Sequence, residues 1–157
     1  MGKKTQVYEY HRKHGSIVDY AGFDLPVWFE GIIPECKSVR NRAAIFDVSH
    51  MGRILVEGPD AESFLNRLTT NDVSALAVGR GHYSLLCNPR GGVIDDLTVF
   101  KLGPTRFLVV YNAANRDKDW NWLQQHRGSL KVKLSDVSDH VAMFAVQGPR
   151  AGSLLRN

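Results

Sequence analysis

The chain has 157 residues, enough for one domain of ordinary size or a little more, and with 43% hydrophobic and 23% charged residues it is composed like a globular protein. Its longest apolar run, residues 141–146, is far short of the roughly 20 that a membrane helix needs, and no apolar stretch follows the basic N-terminus, so neither membrane insertion nor a secretory leader is expected. The formal charge of +4 suits an anionic ligand, but the basic residues are scattered and nucleic acid is not expected; Cys36 and Cys87 lack the spacing of a zinc site or disulfide framework, and no metal is expected.

In chain order, residues 5–14 read as a short helix with Thr5 as N-cap and Gly15 just past its end, followed by a strand at 16–20. Residues 22–29 are aromatic-rich and read as irregular, because Pro26 is out of place in a central strand. A second helix is expected over 32–44, with Ile32, Ile33, Cys36 and Val39 spaced for one apolar face. Two strand-like pieces within 44–56 meet around Ser49 to Gly52. Pro59 suits the first position of a helix reaching about Leu68, with Asp60 and Glu62 in its favourable first turn.

After a loop at 71–79, strands are expected at 82–87, 93–101 and 106–112, joined by loops of five and three residues as an antiparallel meander. A helix over 114–127 ends at Gly128, and strands follow at 130–134 and 141–146. The fold class is α+β, an antiparallel sheet flanked by helices.

The stretch from Asn88 to Phe100 organises the rest. Pro89, Gly91 and Gly92 are turn residues, and the strand after them carries two adjacent carboxylates in apolar company. Successive strand side chains point to opposite faces, so Asp95 goes with Val93, Leu97 and Val99, and Asp96 with Ile94, Thr98 and Phe100. Neither face looks solvated, and a carboxylate in a costly place marks a candidate site. If Leu102 pairs with Arg106, Asp96 stands opposite Asn112, about 5 Å away. In the first hairpin, one bulge residue decides whether Tyr83 or Ser84 faces Asp96. Read alone, Asp96 could equally cap a turn or pair with Arg90, Met51 could be core, and Asn112 could cap the helix that follows.

Residues 56–65 recur at 146–155, with Val, Gly, Pro, Ala, Ser and Leu matching at an offset of 90. This internal repeat suggests a duplication: residues 1–140 form a first unit and 141–157 open a second, in which the chain stops about one helix in.

Five stretches occur in order: Asp19-Tyr20-Ala21-Gly22-Phe23, Val48-Ser49-His50-Met51-Gly52, Gly92-Val93-Ile94-Asp95-Asp96-Leu97, Tyr111-Asn112-Ala113-Ala114-Asn115 and Val146-Gln147-Gly148-Pro149. Together they resemble the glycine cleavage system T-protein (aminomethyltransferase) family, over its N-terminal part only. The resemblance implies a folate-binding domain of the T-protein type. It also implies transfer of a one-carbon unit from the aminomethyl-lipoyl arm of a partner, the H-protein, to tetrahydrofolate with release of ammonia. Carried over by position, Asp96 is the catalytic carboxylate, Met51 packs on the folate ring system, Tyr83 lines the cavity, Val110 offers backbone contacts and Asn112 meets the pterin edge. Asp95 is left to the scaffold, as a carboxylate holding the turn. Further contacts, an acidic residue and an arginine, fall beyond Asn157. The compartment implied is a bacterial or archaeal cytoplasm, or a mitochondrial matrix.

Two other functions fit the same residues. One is another folate-dependent one-carbon enzyme, or a folate-binding iron–sulfur assembly factor. The other is a non-catalytic binding module, a truncated paralogue without turnover. Tetrahydrofolate titration and the aminomethyl-transfer assay separate them.

Overall fold

A computed structural model describes residues 2–156. In chain order the elements are α1 (Tyr8–His14), β1 (Ser16–Tyr20), β2 (Phe23–Trp28), α2 (Ile32–Asn41), β3 (Ala44–Asp47), β4 (Gly52–Glu57), α3 (Ala61–Leu68), β5 (Gly81–Cys87), β6 (Val93–Gly103), β7 (Arg106–Tyr111), α4 (Arg116–His126), β8 (Lys133–Asp136), β9 (Phe144–Gln147) and α5 (Ala151–Leu154). A 3-10 turn, Ala113–Asn115, leads into α4. The architecture is α+β with antiparallel sheets, as expected. The elements fall into two compact units, one built from residues 51–138 and the other from the stretches on either side of it.

The larger unit is a five-stranded sheet in the order β5-β6-β7-β4-β8, every neighbouring pair antiparallel. Its hydrophobic core follows from strand alternation. Leu97 and Val99 of β6, Phe107, Val109 and Tyr111 of β7, and Ile54 and Val56 of β4 all turn to one face and are buried. Helix α3 closes this face with Ala61, Phe64, Leu65 and Leu68, spaced at three and four residues along one stripe. Helix α4 adds Leu123, with Trp120 and Trp122 packed against the same cluster.

Two close approaches shape this sheet. Gly52 lies directly under the Tyr111 ring, where a Cβ would come within 2.2 Å of Cζ. Gly58 has φ +132 and lies against the Lys131 carbonyl. Only glycine takes both that conformation and that contact readily.

The smaller unit holds two short ribbons, β1–β2 and β3–β9. Residues 23–28, read as irregular, are in fact a strand: β2 pairs with β1 and places Pro26 opposite Ile17. Proline's missing N–H is tolerable there because the sheet has two strands only and both are edges. Thr5 does not cap α1. Val7 occupies the N-cap position without a side-chain bond, and Thr5 is buried instead. Helix α2 ends at Asn41, short of the expected 44, and buries no residue, leaving Ile32 and Ile33 exposed. Glu35 holds its start by folding back, its Oε1 accepting the N–H groups of Phe29, Glu30 and Gly31 at 2.6, 2.7 and 3.1 Å. Burial works against the Glu35 charge, but these three bonds hold its carboxyl below the usual range.

The Val-Gly-Pro repeat has a structural counterpart. Gly58 and Gly148 both take positive φ after a strand, and in each case the glycine carbonyl accepts the N–H three residues on, from Ala61 and Ala151, at 3.0 Å. Helix α3 runs eight residues beyond this junction, whereas α5 runs four. Residues 144–147 pair with β3 within the smaller unit.

Candidate functional site

The candidate site lies on the sheet face opposite the core of the larger unit. Cross-strand register builds it in two adjacent rows. Tyr83 of β5 stands opposite Thr98 of β6, Thr98 opposite Val110 of β7, and Val110 opposite Arg53 of β4. One step along, Leu85 stands opposite Asp96. Leu97 pairs with Tyr111, so the next residues, Asp96 and Asn112, meet at the end of the β6–β7 ladder. Met51 immediately precedes Gly52, the partner of Tyr111, and therefore sits at the level of Asn112. With strands about 4.8 Å apart, the four strands span roughly 14 Å.

Of the five residues carried over by the resemblance, Tyr83, Asp96 and Val110 lie within the sheet, Met51 and Asn112 lie one residue outside β4 and β7, and the β6–β7 register is the expected one. Its loop closes differently: a bulge makes Gly103, not Leu102, the partner of Arg106. The first hairpin departs from both expected alternatives. Its bulge lies between Leu86 and Cys87, close to the turn, so neither Tyr83 nor Ser84 faces Asp96; Leu85 does. Tyr83 is diagonal to Asp96 on the same face, within reach of a long aromatic side chain. Partial desolvation, followed by the nearby Asp96 charge, raises the Tyr83 pKa.

The two carboxylates have opposite surroundings. Asp96 is exposed, whereas Asp95 is 5% exposed on the core face. Asn112 links them. Its Nδ2 donates to Asp95 Oδ1 and to Asp96 Oδ1, both at 2.9 Å, while its backbone N–H donates to Asp95 Oδ2 at 3.1 Å. Carboxylates only accept, so the amide nitrogen must face them both and the amide oxygen is turned away. Asn112 does not cap the following turn with its side chain. Asp95 does not hold the β5–β6 turn either. That turn is held by Asn88, whose Oδ1 accepts from Arg90 N at 2.9 Å and Gly92 N at 3.1 Å.

Asp95 also accepts from Asn115 Nδ2 at 2.7 Å, and Asp119, one turn further along on α4, is buried on the same side. Burial penalises the Asp95 charge, yet the hydrogen bonds from Asp119, Asn112 and Asn115 together hold its carboxyl below the usual range. Asp119 goes the other way: burial, then its contact with Asp95 and the Asp95 charge, push it up to about 8. The N-terminus of α4 favours a negative charge by about 0.3–1 kcal/mol. A second buried carboxylate beside the first costs several kcal/mol, so the helix dipole loses.

Backbone supports fix the row ends. Arg53 is 2% exposed; its Nη1 donates to the Met51 carbonyl at 2.7 Å and its Nη2 to the Ser138 carbonyl. This holds the backbone at Met51, just before β4 begins. His50 packs edge-on against Tyr20 at 5.4 Å, in keeping with a structural histidine.

Sequence reasoning missed Asp119, Asn115, Arg53 and Leu85. Asp119 carried a signal: it lies four residues before Leu123 on the inward stripe of α4, an aspartate where an apolar residue belongs. Leu85 depends on where the bulge falls, which strand composition does not encode.

Nearly the whole chain is similar to proteins named aminomethyltransferase. The aminomethyltransferase of Thermoanaerobacter pseudethanolicus is 46% identical over 155 residues, 98% of this chain and 42% of that protein. The aminomethyltransferase of Bacillus subtilis is 45% identical over 158 residues, 100% of this chain and 43% of that protein. The crystal structure of glycine cleavage system aminomethyltransferase T from Bartonella henselae superposes with a TM-score of 0.88 at 33% identity, over 99% of this chain and 43% of that one. The chain therefore spans less than half the length of the relatives it matches. The model of the GCVT N-terminal domain family matches residues 7–157, and the chain belongs to that family.

Proposed function

We propose that this chain supplies one wall of a tetrahydrofolate site in an aminomethyltransferase of the glycine cleavage system. The reading rests on one observation: Tyr83, Asp96 and Val110, far apart in sequence, share one face of the sheet, and Met51 and Asn112 flank it at the ends of β4 and β7, with Asn112 bonded to Asp96. The relatives' names support the reaction class.

The residues fit a flat heteroaromatic ligand with a polar edge. The Met51 thioether offers a polarisable apolar surface. The Asn112 amide, its nitrogen committed to two carboxylates, presents an oxygen acceptor. Asp96 accepts a proton or a ligand N–H. When bound, tetrahydrofolate supplies the nitrogen nucleophiles that take the carbon. The overall exchange is redox-neutral. The carbon's bonds to the lipoyl sulfur and to the amine break, two carbon–nitrogen bonds form, and the two displaced protons leave on ammonia and the dihydrolipoyl thiol.

Asp96 meets both demands of that exchange. As a fixed carboxylate it stabilises the cationic aminomethyl fragment as the thiolate leaves, and it holds or passes the proton that ammonia carries away. Asn112 pins Oδ1, so the carboxylate acts from a set position rather than by searching rotamers. Lipoylated H-protein is the partner that this reaction requires.

The test is aminomethyl transfer from lipoylated H-protein in the intact protein that carries this chain, together with tetrahydrofolate titration followed by tryptophan fluorescence. Saturable binding with turnover supports the reading. Binding without turnover points to the non-catalytic module, and no binding removes the folate assignment.

A further inference from the structure

Asp119 is 1% exposed, more deeply buried than Asp95 at 5%. Among the described residues, no N–H or O–H reaches either Asp119 oxygen, and Asp119 lies one helical turn beyond Asn115, whose Nδ2 donates to Asp95 Oδ1 at 2.7 Å, so the buried Asp119 side chain shares the Asp95 site. Two carboxyls that share one buried site cannot both ionise at low cost, and a proton is kept between them. Asp95 already accepts from Asn112 N, Asn112 Nδ2 and Asn115 Nδ2. Those donors favour its ionised form, so the shared proton resides on Asp119.

We infer that Asp119 is a positioning residue: as a carboxylic acid it donates to Asp95, and the Asp95 carboxylate so fixed aims the Asn112 amide at Asp96. The relay has four members on three elements, Asp119 on α4, Asp95 and Asp96 on β6, and Asn112 at the end of β7. It rests on the reading of Asp96 as the reacting carboxylate, but the relay itself exists whatever Asp96 does.

Ionising Asp119 would set two negative charges side by side and break the relay at its first bond. The groups facing it are Asp95 and Asp96 from β6, Lys118 beside it on α4, and the Tyr111 phenol from β7. Lys118 favours ionisation, but its Nζ is drawn to the Ile94 carbonyl at 2.6 Å. Tyr111, raised by burial and by the Asp136 charge, stays a neutral phenol. Burial and Asp95 therefore decide the Asp119 proton, which leaves at about pH 8.

The test uses the intact protein carrying this chain, with Asp119→Asn and Asp119→Ala. Asparagine keeps an N–H donor for Asp95 without a titrating proton; alanine removes the donor. Two readouts are needed. In NMR spectra with labelled aspartate and asparagine, the wild-type Asn112 side-chain amide should shift with an aspartate titrating at about pH 8, and the Asp119→Asn protein should show no such step. In aminomethyl transfer, Asp119→Ala should lose kcat by about 10- to 100-fold, the scale of a mispositioned group, with a smaller change in KM for tetrahydrofolate. Asp119→Asn should recover most of that loss at neutral pH and lack the wild-type fall in kcat above about pH 8.

A folded Asp119→Ala protein with wild-type kcat and pH profile overturns the inference. So does an Asp119→Asn protein that keeps the alkaline step in the Asn112 resonance. If Asp119→Ala does not fold, the Asp119→Asn spectra and pH profile decide alone. If the wild type shows no transfer, the proposed function fails, while the NMR titration still tests the relay.

Discussion

Replacing Gly52 with alanine isolates how tightly the sheet is packed beneath the site. The added Cβ would sit 2.2 Å from Tyr111 Cζ, 2.3 Å from Cε2 and 2.7 Å from Cε1. Carbon–carbon contact settles at about 3.5–4.0 Å, so the ring or strand β4 must retreat by more than about 1 Å. The ring cannot swing outward, because Tyr111 is 1% exposed and packed among Val109, Leu97 and Ile54. Overpacking of this kind costs about 1–3 kcal/mol. Alanine recovers about 0.5–1 kcal/mol of backbone entropy relative to glycine, since nothing about the Gly52 backbone requires a positive φ. The net loss expected is about 1–2 kcal/mol, or about 3–6 °C in Tm. Urea unfolding followed by tryptophan fluorescence measures it. A double-mutant cycle makes the cause specific. In a Tyr111→Ala background the clash is gone, so Gly52→Ala should there be neutral or slightly stabilising, giving a coupling energy of about 1 kcal/mol or more. Equal destabilisation in both backgrounds would refute the ring contact as the cause.

Three further outcomes follow from the same structure. Asp119 has a raised folded-state pKa, about 8 against the ordinary 3.8, so its stabilising contribution is complete below the unfolded pKa and is lost as pH rises towards the folded one. The stability of the wild type relative to Asp119→Asn should therefore fall by about 1.4 kcal/mol per pH unit between about pH 5 and pH 8, then level off; a flat difference in urea midpoints over that range excludes the buried acid. Phe64 is fully buried in α3, and Phe64→Ala should cost about 3–5 kcal/mol by calorimetry or urea unfolding, against a change within about 0.5 kcal/mol for the exposed neighbour Ser63→Ala. Asp96→Asn in the intact protein should reduce turnover by about two orders of magnitude or more while leaving the urea midpoint nearly unchanged, because Asp96 is exposed; wild-type turnover removes Asp96 from the reaction.

Much of the architecture was legible because local chemistry and periodicity agree. The β5–β6–β7 meander, the amphipathic helix α3 and the Gly-Pro junctions all carry their own signals. Opposite faces for Asp95 and Asp96 follow from the two-residue period of a strand, and the meeting of Asp96 with Asn112 follows from hairpin register. The strand at 23–28 was misread because Pro26 is excluded from central strands but not from a two-stranded ribbon, and strand count is not a local property.

What only the tertiary structure decided is which carboxylate is buried and what holds it. From residues 93–100 alone, both faces look apolar, and the resemblance singled out Asp96. The fold packs α3 and α4 on one side of the sheet, which buries Asp95 and leaves Asp96 exposed. Burial then forces a choice of proton: Asp95, surrounded by N–H donors, keeps its charge, and Asp119, without one, keeps its hydrogen. Those two residues lie 24 positions apart on a strand and a helix, and no spacing rule joins them. Desolvation acts on contacts made across the core, so the electrostatics of this site could be settled only once the chain had folded.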